Sequence, residues 1–259
     1  MKGMIFFIFM VVIATAMANS PHSINTTASK RILVVMTNHQ DYPTRTDTTG
    51  LWLTELTHFT DIVEAAGFTT DFVSPQGGQV PLDERSLGWI YVDDSAKAHL
   101  NTLTFRDRLT NTLSITQVDP QDYAAIYYTG GHGVMWDFKD NVHLQQTAQA
   151  IYQQGGVISA VCHGVAGLVN LKDKSGEPLI KDKAITGFSN SEEFWAGLKD
   201  EVPFFLEDEL KKQGANYQTT WLPFLSHAIT DGRIVTGQNP SSAKAVAKHL
   251  LKVLNTTEQ

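Results

Sequence analysis

One cysteine, Cys162, is all that the 259 residues carry. The chain therefore makes no internal disulfide and holds its fold by burying a core. The Cys-x-x-Cys and His-Glu-x-x-His spacings that gather a metal ion are missing, so no metal site is implied. No cluster of lysine and arginine stands out and the net charge is -7, which argues against nucleic acid as a partner. The first apolar strand runs into Asn38-His39-Gln40-Asp41, where a nucleotide fold would place its phosphate-binding glycines. No cofactor is implied. Ser159 and Ser189 lack a serine-hydrolase elbow, and no internal repeat divides the chain.

An apolar stretch from Met4 to Ala14 follows Lys2 and ends in the small-x-small Ala16-Met17-Ala18. It is too short to span a bilayer of roughly 30 Å, and its pattern is that of a secretory signal peptide. The expectation is cleavage after residue 18, a polar tail over 19–30, one catalytic domain over 31–255, and an exported protein, periplasmic or secreted, with no membrane attachment after cleavage. Loss of Lys2 takes the net charge from -7 to -8. A mature chain that is 42% hydrophobic suffices for one large α/β domain. Asn25-Thr26-Thr27 and Asn255-Thr256-Thr257 match the glycosylation pattern, both in polar tails.

Arg31 to Thr37 is a β-branched apolar run without alternation, as a strand buried on both faces would be. Helical spacing over Gly50 to Ala66 ends at Gly67, and a second strand, Thr69 to Ser74, follows at once, which predicts a right-handed parallel crossover. Residues 75–120 read as an excursion over the sheet edge, with short helices near Asp83 to Gly88, Ser95 to Leu100 and Phe105 to Leu113. Further strands are expected at Ala124 to Thr129, at the run into Cys162 and at Lys183 to Gly187, with a hairpin over Ile229 to Thr236. Helices are expected at His143 to Gln153, Pro203 to Gly214 and Ser241 to Leu254.

Gly156 to Gly167 reads as a strand that turns sharply into a helix at Cys162, with Ala160 and Gly164 letting the backbone double back. Such an elbow presents a nucleophile. His163 follows, and an adjacent imidazolium and the positive end of the following helix would both lower the thiol pKa. The bland reading is a small core cysteine. Gly130-Gly131-His132-Gly133 also closes a strand, and the amides of Gly131 and His163 would suit an oxyanion. Carboxyl ends of parallel strands hold the ligand site. Glu55, among apolar residues of the first helix, would be a proton shuttle if buried and plain surface if not. His58, His132, Trp136 and Asp137 are structural or pocket-lining.

Thr54-Glu55-Leu56-Thr57-His58, Gly130-Gly131-His132-Gly133, Ala160-Val161-Cys162-His163-Gly164 and Ile185-Thr186-Gly187-Phe188 with Glu192-Glu193 occur in this order. Together they resemble the ThiJ/PfpI superfamily from about Arg31 to His249. Asp71-Phe72-Val73-Ser74-Pro75 and Gly176-Glu177-Pro178-Leu179-Ile180 are similar to its glyoxalase III and heat-shock chaperone branch. The resemblance implies a flavodoxin-like three-layer αβα sandwich with a mostly parallel sheet and a small excursion or cap. It also implies a Cys162 nucleophile, His163 beside it, Glu193 as triad acid with Glu192 as rival, Glu55 against the cysteine, Gly131 as oxyanion donor, and no cofactor. The implied activity is glyoxalase III-like conversion of methylglyoxal to lactate through a hemithioacetal. Protein deglycation, amide hydrolysis, a holdase chaperone or a thiol redox sensor are the alternatives, with glycated or unfolded proteins as further partners and a homodimer allowed.

Overall fold

The computed structural model describes residues 29–257. Among these residues nine strands form, in chain order: Arg31–Val35 (β1), Thr69–Ser74 (β2), Leu113–Ser114 (β3), Ala125–Tyr128 (β4), Val157–Val161 (β5), Ala184–Ile185 (β6), Asn216–Tyr217 (β7), Ala228–Asp231 (β8) and Ile234–Gly237 (β9). Seven of them make one sheet in the order β3-β2-β1-β4-β5-β9-β8, with only β8 antiparallel to its neighbour. The register sets Val35 beside Val73 and Tyr128, Tyr128 beside Ala160, and Val161 beside Gly237. The carboxyl ends of the central strands are therefore level. Arg31 apart, β1, β4, β5 and β9 are buried along their whole length, which is why their sequences are apolar without alternation.

The helices are Leu53–Ala65 (α1), Asp94–Asn101 (α2), Leu103–Thr110 (α3), Val134–Asp137 (α4), Val142–Gln153 (α5), Asn190–Ala196 (α6), Leu206–Lys212 (α7) and Ala243–Thr257 (α8). From β1 the chain crosses by α1 to β2 on one side, and from β4 it crosses by α5 to β5 on the other. Right-handed crossovers made in opposite directions put their helices on opposite faces, so the sheet is sandwiched. α8 packs with α1 on one layer, while α5 packs on β4 and β5 in the other. The expected flavodoxin-like α/β sandwich is the architecture found. α1 buries Leu53, Leu56, Phe59 and Val63 at helical spacing, and Gly67, with φ +88°, ends the turn after it.

Several elements differ from expectation. α1 starts at Leu53 and not at Gly50, because the Leu51 carbonyl, which a longer helix would need for the Glu55 amide, already accepts the Asp83 amide at 2.9 Å. The excursion over 75–120 does not stay outside the sheet: β3 returns as an edge strand parallel to β2. The strand expected over Lys183 to Gly187 is only β6, paired with β7 outside the main sheet, since the Asp231 carboxylate accepts from the Ala184 amide at 2.9 Å and Lys183 Nζ at 3.0 Å. After Cys162 the chain forms a tight 3₁₀ turn over Cys162–Leu168 and not an α-helix. The leader expected at 1–18 and nearly all of the polar tail expected at 19–30 lie outside the described residues. Among the described residues no helix is long and apolar enough to cross a membrane.

Candidate active site

Two glycine-bearing turns at the carboxyl ends of β4 and β5 meet the first turns of α1 and α6. Cys162 takes the left-handed backbone region at φ 56°, which a non-glycine residue adopts only when its surroundings force it. The force is visible at Gly164, where a Cβ would lie 2.4 Å from the Thr129 carbonyl oxygen and 2.5 Å from that of Tyr128. Only a glycine lets the 3₁₀ turn press onto β4. Gly130 serves the neighbouring contact: a Cβ there would sit 2.6 Å from Glu55 Oε2 and 2.9 Å from Cys162 Cβ.

Cys162 Sγ lies 3.3 Å from His163 Nδ1, and His163 Nε2 lies 2.9 Å from Glu193 Oε2. All three side chains are buried. The other Glu193 oxygen, Oε1, is 2.9 Å from His132 Nε2. Glu55 is fully buried in α1; its Oε2 accepts the Gly130 amide at 2.7 Å, its Oε1 has no hydrogen-bond partner among the described residues, and the carboxyl is close enough to the Cys162 thiol for each to shift the other's protonation. The structure thus brings Cys162, His163, Glu193, Glu55 and His132 into one cluster. Phe188 walls it, 4.2 Å from the His163 ring, with Phe224 a further 6.2 Å beyond.

Glu192, also fully buried, faces away from the histidines. Its Oε2 accepts from the Ser189 amide and hydroxyl at 3.0 and 2.9 Å, and its Oε1 accepts from the Phe224 amide and Asn239 Nδ2, both at 2.8 Å. That carboxylate caps α6 and ties down the 219–227 segment. His58 is not brought to the cluster: its Nε2 pairs with Asp93 Oδ2 at 2.7 Å, toward α2. Trp136 stacks on His39 at 4.6 Å and meets the edge of Tyr42 at 6.1 Å, one ring removed from His132. Asp137 accepts from the Thr37 hydroxyl and the Asn38 amide, each at 2.8 Å, and steadies the turn after β1.

Arg85, in the 3₁₀ turn Glu84–Leu87 of the excursion, joins the cluster with no mark in the sequence. Its Nη2 lies 2.9 Å from His132 Nδ1, 2.9 Å from Asp83 Oδ2 and 2.6 Å from the Tyr42 hydroxyl. Asp83 is fully buried and accepts as well from Arg85 Nε at 3.1 Å and the Thr49 hydroxyl at 3.1 Å.

Electrostatics set the resting protonation. Burial, and then the charge of Glu55, push the Cys162 thiol well above its ordinary value. The expected lowering by the neighbouring histidine and a following helix is therefore not what the site holds at rest. Burial raises Glu55 to about 8, against the opposing pull of the Cys162 thiol and the Gly130 amide. At neutral pH the resting pair is a thiol beside a carboxylic acid. Burial, with the His163 ring next to it, lowers His132 to about 4, so it is neutral. Burial works against the Glu193 carboxylate too, yet the two imidazoles facing it outweigh burial and keep it ionised, below the usual carboxylate range. The ligand atoms of His132, His163 and Glu193 lie within 4.8 Å of one another, a donor set that could hold a divalent cation. Each ring nitrogen facing Glu193 is spent on a hydrogen bond, and the Arg85 cation lies alongside.

The sequence pattern of the DJ-1/PfpI family matches residues 48–253. A curated relative, the glutathione-independent glyoxalase HSP31 of Saccharomyces cerevisiae, is 35% identical over 88% of this chain and 99% of its own length. The crystal structure of glyoxalase III from Candida albicans superposes with a TM-score of 0.81 and 31% identity, covering 86% of this chain and 96% of that one. The Rapid Encystment Protein 24 KDa of Francisella tularensis superposes at 0.83, with 40% identity over 87% and 99%. These comparisons correct the expectation of export. The match covers nearly the whole lengths of the glyoxalase relatives, and these relatives give export no support. An apolar run closed by small residues is a pattern of composition, and the localisation read from it does not stand.

Proposed function

Because this chain belongs to the DJ-1/PfpI family, we propose that it is a glutathione-independent glyoxalase that turns a small 2-oxoaldehyde such as methylglyoxal into a 2-hydroxy acid, with Cys162 as nucleophile. The observation that carries the reading is the alignment of the Cys162 thiol with His163 Nδ1 at 3.3 Å, next to a Glu55 carboxyl whose pKa of about 8 lets it give and take a proton near neutrality. The thiol proton passes to His163 as sulfur bonds to the aldehyde carbon. The carbonyl oxygen takes the Glu55 proton, and a hemithioacetal results. The Glu55 carboxylate then removes the hydrogen on that carbon as a proton, the electron pair forms the enediol double bond, and the ketone oxygen is protonated by His163. Glu55 returns its proton to the adjacent carbon while the enediol hydroxyl gives one to His163, leaving a thioester. Water adds to that carbonyl, its proton going to Glu55, and the departing sulfur recovers the proton on His163. Nothing is oxidised or reduced overall. The Gly131 and His163 amides serve the oxyanion of the thioester step.

Incubation with methylglyoxal and detection of lactate tests this. Native protein should turn over, and Cys162→Ala should lose activity by about 10³-fold or more. Turnover that survives the substitution would exclude the mechanism, and none in the native protein would exclude the assignment. A holdase activity is a second reading, favoured by the exposure of Trp89, Trp195 and Trp221, at 89%, 70% and 88%. It predicts suppression of client aggregation that survives Cys162→Ala.

A further inference from the structure

A guanidinium has five N–H donors and no acceptor. Arg85 Nη2 lies 2.9 Å from His132 Nδ1, so the only hydrogen bond open to that pair is donation from Arg85 to an unprotonated Nδ1. A neutral imidazole carries one proton, which must then sit on Nε2, 2.9 Å from Glu193 Oε1. His132 thus has a single usable tautomer, and its other nitrogen is a committed donor. His163 Nε2 donates to the second carboxylate oxygen at 2.9 Å, so each Glu193 oxygen receives one imidazole N–H. With its proton on Nε2, His163 presents the bare Nδ1 to the Cys162 thiol.

We propose that Arg85 locks the tautomer of His132, and that this pair are positioning residues: His132 holds the Glu193 carboxylate in the orientation that keeps His163 Nδ1 free to accept the thiol proton. With the proton on the other nitrogen, the His132 Nε2 lone pair would face a Glu193 lone pair at hydrogen-bond distance, and the carboxylate would turn away. The neutrality that burial imposes on His132 fits the lock, since a doubly protonated ring would set an N–H against a guanidinium N–H. Arg85 is itself fixed, by the fully buried Asp83 and by the Tyr42 hydroxyl. The excursion that carries it is therefore part of the site's hydrogen-bond chain, 47 residues before His132.

The role in turnover rests on the glyoxalase reading; the tautomer does not. Long-range proton–nitrogen correlation spectra of the full chain labelled with ¹⁵N-histidine should find His132 protonated at Nε2 and bare at Nδ1. Arg85→Lys, a donor-only cation, should keep that pattern. Arg85→Met should lose it, with kcat for methylglyoxal and the rate of Cys162 alkylation by iodoacetamide both falling about tenfold or more and KM nearly unchanged. Arg85→Lys should recover most of both rates. Arg85→Met leaves Asp83 buried without its partner; should it fail to fold, Asp83→Asn with Arg85→Met removes both charges and answers the same question. A native His132 protonated at Nδ1, or either Met variant folded with native kcat and alkylation rate, would overturn the proposal. If methylglyoxal is not a substrate, the spectra and the alkylation rates still decide it.

Discussion

Glu55 couples the stability of the fold to pH. Its carboxyl is raised from 4.5 to about 8 by burial, so below about pH 4.5 folded and unfolded chains both hold the proton. Between those values only the folded state keeps it, and stability falls as pH rises by on the order of 1.4 kcal/mol per unit. Above about 8 that contribution is gone. Glu55→Gln, which cannot ionise, should therefore gain on the native protein in urea midpoint as pH is raised from 5 to 8; a constant difference across that range would mean Glu55 is ionised in the fold. At this scale the sequence was legible where local geometry marks the residue. The elbow singled out Cys162 and the glycines pointed to the turn after β4. The carboxylates were harder, because Glu192 and Glu193 are adjacent, are both buried, and differ only in which way the first turn of α6 directs them. His58, three residues past Glu55 and about 4.5 Å further along α1, belongs to the contact with α2. Arg85 left no trace, since its link to His132 joins two side chains from unrelated segments with no periodic signal.

The elbow is the element that most constrains substitution. Gly164→Ala would drive a methyl into the Thr129 and Tyr128 carbonyls, backbone atoms of a central strand that cannot move aside. A loss of about 1–3 kcal/mol in chemical denaturation is expected, with a larger loss of turnover because the 3₁₀ turn must shift under Cys162; unchanged stability and kinetics would refute the packing described for it. Elements with enough residues to display a period were readable: β1, α1, β2, β4, α5, β5, the β8–β9 hairpin and α8 all fall within a few residues of their expected places. Those that were not are too short to carry one. β3 and β7 have two residues each and α4 is a single turn, so nothing in their composition separates them from loop, while of the strand expected over Lys183 to Gly187 only the two residues of β6 form. Their positions are set by long-range partners, as when Asp231 fixes the start of β6.

For the molecule as a whole, the sheet order matters more than any single contact. β5 carries Cys162 on its end and lies between β4 and β9, yet β9 comes from residues 234–237, far along the chain. A chain cut after residue 227 keeps every residue assigned to the site but leaves β5 without a neighbour on one side. Its thiol should react with iodoacetamide as fast as in urea, whereas the native thiol, 2% exposed, should react far more slowly; protection in the shortened chain would mean that the sheet closes without β9. The same arrangement bears on biosynthesis. At about 5–20 residues per second, the ribosome needs on the order of ten seconds to go from Cys162 to the end of β9. Throughout that interval β5 lacks its β9 neighbour, and the thiol at its end lacks the cover that the closed sheet gives it. A nascent chain is therefore more open to modification at Cys162 than the finished fold, in which the same thiol is 2% exposed.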